Sequence, residues 1–311
     1  MASPSECFAG TALRQRPRFE GPSPAAIARR CGAILALLAL AGCQQLIVLH
    51  PKGIVGEGTS TLLIDSFIIM VPIVVPTILA ALLFGWWYRS SNKRAFFQPS
   101  FVESGKIELV TWSLPLLTIM LLGSVAWIGS HDLDPANPLS EEKPLEVQVV
   151  SLDWKWLFIY PDQNVASVNR LVVPSGVPIR FTLTSASVWN AFFVPQLGSM
   201  IYTMNGMATQ LNLKANEPGT FMGLSAMFSG NGFADMHFNT EAVPKADFDA
   251  WASETRSASG PTLTSQAYKE LCVQSMNVAP FTYSSVEPGL FHKIVMQALP
   301  PAPGPSTKGG S

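Results

Sequence analysis

The chain carries, at residues 221–236, the stretch Phe-Met-Gly-Leu-Ser-Ala-Met-Phe-Ser-Gly-Asn-Gly-Phe-Ala-Asp-Met. This glycine-rich stretch lies between two runs with β-strand character, residues 209–215 and 236–243. Small and sulfur-bearing residues are spaced along it, as in a loop that holds metal ligands at one end of a β-sandwich. The stretch therefore predicts a β-sandwich with a loop laid out like a metal site.

The side chains of this loop do not supply the ligands that such a site needs. A soft copper site requires cysteine thiolates together with imidazoles. The candidate positions hold Ser225, Ser229, Phe233 and Met236, and of these four side chains only the Met236 thioether could bind copper. Cys272 is the one cysteine beyond residue 43, and a single thiol cannot build a binuclear thiolate site. The loop is either a site without its metal or an ordinary loop that never held one.

The composition indicates a membrane protein. Of the 311 residues, 48% are hydrophobic and 13% are charged, whereas a soluble domain has about 25% charged residues. The length allows one or two domains in addition to membrane segments. The formal net charge is -1, without a basic stripe or interleaved basic and aromatic residues, which excludes a nucleic-acid partner.

The N-terminal region has the pattern of a secretory signal. Residues 1–31 carry five arginines and two acidic residues, and the apolar run 32–41 follows. That run ends in Leu-Ala-Gly-Cys at residues 40–43, which resembles a bacterial lipobox. We therefore expect a lipoprotein signal peptide over residues 1–42 and a lipid on Cys43, the alternative being a chance cysteine after a signal peptide.

Two further stretches, residues 67–88 and 109–128, are long and apolar enough to cross a bilayer. They predict a transmembrane hairpin within residues 43–132. The segment that connects the two stretches is basic and contains Arg89, Lys93, Arg94 and Lys106. The segment after the second stretch is acidic and contains Asp132, Asp134, Glu141 and Glu142. The positive-inside rule then places the loop in the cytoplasm, and the N-terminus and the C-terminal domain on the periplasmic side.

Two carboxylates lie near the predicted spans. We expect Asp65 at the outer end of the first helix and Glu108 at the cytoplasmic entrance of the second. A carboxylate at a helix N-terminus is favoured by the helix dipole, so Glu108 could be a cap. The alternative is a proton-uptake residue, because ionisable groups at membrane boundaries often mark ion paths.

The chain after residue 144 changes to short β-rich runs separated by proline and glycine turns. These runs predict a β-sandwich over residues 145–243, and strand alternation predicts that Trp154 and Trp156 share one face. The pattern becomes helical over residues 244–299. We expect a disordered tail over residues 300–311, where proline, glycine, serine and lysine predominate.

Four stretches, residues 151–161, 189–199, 215–220 and 221–236, together with this order of segments, resemble subunit II of the haem-copper oxidases. The resemblance is closer to the ubiquinol-oxidising branch of the cytochrome bo type. It implies a two-helix transmembrane hairpin and an all-β cupredoxin-like sandwich, with short C-terminal helices.

The resemblance also implies where copper ligands would lie. In the branch that oxidises cytochrome c, two histidines, two cysteines, a methionine and a glutamate carbonyl bind a binuclear copper centre. Those positions fall here on Asn190, Ser225, Met227, Ser229, Phe233 and Met236. Five of the six differ from the family ligands, so the resemblance predicts a cupredoxin domain without copper and no metal or other cofactor in this chain.

Further consequences of the resemblance concern the complex. Haem and copper are expected in the partner subunit I, ubiquinol is expected as electron donor of the complex, and no catalytic residue is expected in this chain. The chain would lie in the bacterial inner membrane among lipid and the other oxidase subunits. Trp154 resembles part of the family's aromatic patch, and Glu108 matches a glutamate associated with proton uptake.

Two alternatives remain open from the sequence. One is a copper-binding subunit II of a cytochrome c oxidase, which the missing cysteines and histidines disfavour. The other is a membrane-anchored lipoprotein without a part in respiration, which would not copurify with haem.

Overall fold

The computed structural model describes residues 46–96, 98–302 and 304, together with the isolated residues 29 and 32. The predicted signal peptide apart from those two positions, the lipidation residue Cys43, and positions 303 and 305–311 of the predicted tail lie outside the described residues. The described residues from Leu46 onward belong to one compact unit.

Two long apolar helices precede the β-rich domain. Helix α1 (Ile54–Trp87) has 34 residues and helix α2 (Gly105–Asp132) has 28, and each contains an apolar window long enough to cross a bilayer. The helices approach closely at Gly129, where an added Cβ would lie 2.4 Å from the Leu62 side chain. Glycine at this position therefore allows the two helices to pack.

The first helix begins earlier than hydrophobicity predicts. The predicted span begins at residue 67, where the charge-free run begins, whereas α1 begins at Ile54. The additional residues of α1 include the charged Glu57 and Asp65, so they fall outside a charge-free run. Asp65 consequently lies inside α1 and not at its outer end. The first turn is attached to the sandwich: the Gly56 N–H donates to the Leu197 carbonyl at 3.1 Å, and Val55 is buried in the core.

The domain that follows is a β-sandwich of two main sheets. Its strands are β1 (Leu145–Leu152), β2 (Lys155–Tyr160), β3 (Val165–Val168), β4 (Arg170–Pro174), β5 (Ile179–Ser185), β6 (Asn190–Phe193), β7 (Ile201–Thr203), β8 (Thr209–Leu213), β9 (Gly219–Ser225), β10 (His237–Val243), β11 (Thr262–Leu263), β12 (Phe281–Tyr283) and β13 (Ser285–Val286). The six-stranded sheet has the order β12-β3-β2-β1-β5-β8, and the five-stranded sheet has the order β4-β10-β9-β6-β7. Strands β11 and β13 form a small third sheet.

Aromatic rings fill the space between the two main sheets. Phe192 and Phe238 stack with ring centroids 5.3 Å apart, and the Trp156 ring meets both of them edge-on at 5.4 and 5.7 Å. Gly223 makes room for the Phe238 ring, which an added Cβ would approach to 2.1 Å. These contacts fix the spacing of the sheets at the end where the predicted ligand positions lie.

The C-terminal helices are α3 (Lys245–Ser257), α4 (Ser265–Leu271) and α5 (Leu290–Val295). Helices α4 and α5 cover the outer face of the six-stranded sheet, while Phe248 of α3 joins the main core. This cover explains why every residue of β2 is buried: Trp156 and Phe158 point into the sandwich, and Leu157 and Ile159 point toward the helices.

The described part of the predicted tail also contacts the domain. The Ala302 N–H donates to the Ala186 carbonyl at 2.9 Å. The Gly304 carbonyl accepts a hydrogen bond from the Gln274 side chain. Residues 300–302 and 304 therefore continue along the surface of the sandwich.

Candidate functional site

The predicted ligand positions lie at one end of the five-stranded sheet. Strand β6 begins at Asn190, β9 ends at Ser225 and β10 begins at His237. Strands β6 and β9 pair antiparallel with Phe192 opposite Ser225. Only residues 226–236 are therefore a loop, and the first five residues of the stretch 221–236 belong to β9.

Three of the six positions meet through hydrogen bonds. The Ser225 hydroxyl lies 3.1 Å from the Asn190 Oδ1 and 3.3 Å from the Met227 carbonyl oxygen. A hydroxyl has one proton to donate, so the two oxygens share it. Asn190 and Ser225 are both buried, and these contacts replace the water that their polar atoms would otherwise bind.

The other three positions contribute differently. Met236 is buried in the core, and its backbone carbonyl accepts the Ser225 N–H at 3.1 Å. The Phe233 ring packs edge-on against Phe228 with centroids 5.5 Å apart. The Ser229 hydroxyl is buried and has no partner among the described residues.

This set of side chains does not fit a binuclear copper centre. Such a centre requires thiolate sulfur and imidazole nitrogen. The positions supply a carboxamide, two hydroxyls, a phenyl ring and two thioethers, and the Ser225 hydroxyl is already bonded to Asn190. Within the described residues, no three histidine, cysteine, aspartate or glutamate side chains come together as a possible metal site. The arrangement suits a small hydrogen-bonded polar cluster.

Trp154 supports the loop from the opposite sheet, in a way that strand alternation did not predict. It does not share a strand with Trp156, because it lies in the two-residue turn between β1 and β2 with a φ of 64°. Its indole Nε1–H donates to the Ser229 carbonyl at 3.0 Å. The indole is 8% exposed, so a buried ring holds the middle of the loop.

Gly232 provides the contact surface for that ring. An added Cβ would lie 2.4 Å from the Trp154 Cδ2, closer than non-bonded atoms approach. The loop also turns at Gly230, whose φ of 104° suits only glycine. The two glycines were visible in the sequence as turn signals, but the contact of Gly232 with Trp154 was not.

Two charged side chains flank Trp154 and are buried. The Lys155 ammonium donates to the Val273 carbonyl at 2.7 Å and to the Ser275 hydroxyl at 2.5 Å. Burial lowers the pKa of Lys155, against the opposing effect of neighbouring acidic groups. The Asp153 carboxylate accepts the Ser187 hydroxyl at 2.5 Å. Lys155 therefore connects this turn to the C-terminal segment, and a lysine within a hydrophobic run was the available sequence signal.

Glu108, predicted near the membrane boundary, lies in the first turn of α2. Its backbone N–H donates to the Ser104 carbonyl at 2.9 Å, and its side chain is exposed. This position is compatible with a favourable helix-dipole interaction and with access to protons from water.

Two family models match the chain. Residues 157–243 match the cytochrome c oxidase subunit II periplasmic domain, and residues 258–301 match the COX aromatic rich motif. The first range lies in the sandwich, and the second contains α4 and α5.

Several proteins resemble the chain over most of its length. It is 50% identical over 269 residues to the ubiquinol oxidase subunit 2 of Acetobacter aceti, covering 86% of this chain and 87% of that protein. It is 46% identical over 259 residues to the cytochrome bo(3) ubiquinol oxidase subunit 2 of Pseudomonas aeruginosa, covering 83% and 78%. The periplasmic domain of cytochrome oxidase subunit II from Bradyrhizobium japonicum is 27% identical, with a TM-score of 0.35, and covers 37% of this chain and 95% of that domain. From the two sequence relatives, the chain belongs to the subunit II family of the haem-copper oxidases, in its ubiquinol oxidase branch.

Proposed function

We propose that this chain serves a quinol-oxidising, oxygen-reducing complex as a subunit without a redox centre of its own. The observation that carries the proposal is the hydrogen bond between Ser225 and Asn190, which lies where the copper-binding branch has a thiolate and an imidazole. Relatives named ubiquinol oxidase subunit 2 support quinol as the electron donor.

The electron donor explains why this subunit needs no metal. Ubiquinol is lipophilic and delivers electrons within the membrane, so a copper relay on the water side is unnecessary. Haem and copper belong to the partner subunit I in this proposal. The sandwich then has a structural role, and the hydrogen-bonded Asn190, Ser225 and Met227 hold its end in shape without a metal.

We infer a membrane arrangement from the helices and the charge pattern. Helices α1 and α2 cross the inner membrane, the basic loop between them faces the cytoplasm, and the sandwich lies in the periplasm. In this arrangement the hairpin region is residues 43–132, the periplasmic sandwich is residues 145–243 and the C-terminal helical region is residues 244–299. The buried Val55 in the first turn of α1 ties the sandwich to the membrane hairpin.

Two further sites belong to the proposal. Cys43 becomes the lipidated first residue of the mature chain after removal of residues 1–42. Since two spans already retain the chain in the membrane, the lipid fixes the position of the N-terminus. Glu108, exposed in the first turn of α2, is proposed as an entrance for protons taken up from the cytoplasm and pumped by the complex.

The choice of electron donor tests the proposal. The tagged full-length chain is purified with its complex in mild detergent, and oxygen uptake is measured with a short-chain ubiquinol or with reduced cytochrome c. We expect copurifying haem and oxygen uptake with ubiquinol alone. Uptake with cytochrome c would contradict the quinol assignment, and the absence of haem would contradict the oxidase assignment.

A matched variant tests the absence of a metal role. Met236→Leu removes the thioether at the one retained ligand position and conserves the apolar volume. We expect quinol-driven oxygen uptake to remain unchanged. A large loss of uptake in a complex that keeps its haem and its wild-type melting temperature would contradict the absence of a metal role.

A further inference from the structure

The C-terminal end of α1 and the loop that follows it form two adjoining concavities that no function above uses. The larger has a volume of about 880 Å³ and is lined by polar and aromatic residues that include Arg89, Asn92, Arg94 and Phe101. The smaller has a volume of about 360 Å³, and its lining is Leu83, Phe84, Trp86, Trp87 and Tyr88. Trp87 and Tyr88 line both, so a basic concavity continues into an apolar groove on the end of the helix.

The two arginines of the larger concavity retain free donors. The Arg89 guanidinium lies over the Trp86 ring, 5.2 Å from its centroid, and its Nε donates to the Ser91 hydroxyl at 3.1 Å. In the part of the chain that the structure describes, neither Arg89 nor Arg94 has a carboxylate within ion-pair distance. Their remaining N–H groups are therefore available to an anion.

The loop holds these arginines in place through Asn92. Its side-chain amide donates to the Trp87 carbonyl at 2.7 Å, and its Oδ1 accepts the backbone N–H of Arg94 at 3.1 Å. Its own N–H donates to the Arg89 carbonyl at 2.9 Å. The carbonyl at the end of α1 is thereby satisfied, and the backbone on both sides is fixed.

The apolar groove lies at the level where the helix leaves the hydrocarbon. Trp86, Trp87 and Tyr88 are 58%, 45% and 56% exposed, and rings of this kind belong to the interfacial belt of a membrane protein. A groove walled by these rings and by Leu83 and Phe84 suits a hydrocarbon chain.

We propose that this end of the hairpin binds one anionic phospholipid. Its phosphate binds Arg89 and Arg94, and the beginning of an acyl chain lies in the groove beside Trp87 and Tyr88. Arginine recognises phosphate oxygens through paired N–H donors. The cytoplasmic leaflet, which the loop faces in the proposed arrangement, is rich in anionic lipid, and basic concavities beside membrane helices bind its headgroups.

The same end of the hairpin supplies a matched control. Arg89→Gln with Arg94→Gln removes two positive charges from the larger concavity. Lys93→Gln with Lys106→Gln also removes two charges, one from the loop and one from the first turn of α2, but these lysines do not line either concavity. The whole complex of each variant is depleted of lipid in detergent and titrated with phosphatidylglycerol, and native mass spectrometry counts the bound lipid. Phosphatidylcholine, which has acyl chains but no net charge, tests the need for net charge. Glycerol phosphate, which is anionic but has no acyl chains, tests the need for the chains.

We expect the double arginine substitution to weaken phosphatidylglycerol binding roughly 30-fold, which is about 2 kcal/mol. The double lysine substitution should change phosphatidylglycerol binding less than about threefold. The wild-type complex should bind phosphatidylcholine and glycerol phosphate much more weakly than phosphatidylglycerol. Equal losses of phosphatidylglycerol binding in the two double variants would show only diffuse attraction to positive charge and would overturn the proposal. Unchanged binding in the double arginine variant would also overturn it. The wild-type comparison of the three ligands needs no variant and is independent of oxidase activity.

Discussion

Replacing Gly232 by alanine is expected to release the loop 226–236 from the sandwich. The new Cβ would lie 2.4 Å from Cδ2 and 2.5 Å from Cγ of Trp154. The indole is buried, and its backbone sits in a turn with a φ of 64°, so it cannot move aside without disturbing that turn. Overpacking of this kind costs about 1–3 kcal/mol. Loss of the Trp154 hydrogen bond to Ser229 would add about 1 kcal/mol.

Amide hydrogen exchange in the intact complex measures this effect, because exchange of the loop amides reports the free energy of local opening. The two costs together, about 2–4 kcal/mol, correspond to exchange that is about 30- to 900-fold faster across residues 226–236. Peptides from the core strand β2 should keep wild-type exchange if the effect is local.

Gly260→Ala is the matched control, since an added Cβ there would lie 3.6 Å from the nearest side-chain atom, which is ordinary contact. Trp154→Phe keeps the ring and removes only the donor to Ser229, so a smaller acceleration of exchange is expected. Wild-type exchange of the loop in the Gly232→Ala complex would refute the argument that the indole supports the loop.

Three further predictions concern other parts of the chain. The Lys293 ammonium and the Ser265 N–H lower the pKa of Glu287 from 4.5 to about 2, so their contact stabilises the C-terminal region above pH 4.5 and is lost as the pH falls toward 2. The melting temperature of the Glu287→Gln complex should therefore lie below that of the wild type at pH 7, and the difference should shrink through this window; a constant difference would contradict the assignment. Cys43→Ala should abolish the lipid adduct seen by intact mass spectrometry, whereas Cys31→Ala should leave it, and an adduct on the Cys43 variant would disprove the lipidation site. Glu108→Gln should slow quinol-driven oxygen uptake while Glu103→Gln, in the adjoining loop, should not; equal rates in both variants would leave Glu108 as a helix cap only.

The architecture could be predicted from local patterns because each pattern reflects a local requirement. Alternating apolar residues indicated β1 and β5, and the prediction of two long apolar helices followed by a cupredoxin-like sandwich is confirmed. The assignment of Trp154 to a strand was wrong because the turn between β1 and β2 depends on strand pairing. The start of α1 was missed because its first turn is held by contacts with the sandwich and not by hydrophobicity.

The candidate site was predictable only in part, since its contacts join distant residues. The resemblance identified Asn190, Ser225 and Met227, and the structure brings them together. Trp154 and Ser229 are 75 residues apart in sequence, and Lys155 and Val273 are 118 apart. No local pattern reports such pairs, so the support of the loop by an indole and the attachment of the C-terminal segment by a buried lysine emerged only from the fold.

The copper content of the purified complex tests the central claim most directly. The tagged chain is isolated with its partners, and copper and haem iron are quantified in the same sample by elemental analysis and absorbance. A subunit with Asn190, Ser225, Ser229 and Phe233 at the ligand positions predicts a single copper per complex, held by subunit I. Two further coppers per complex, accompanied by the absorbance of a binuclear thiolate centre, would contradict the account.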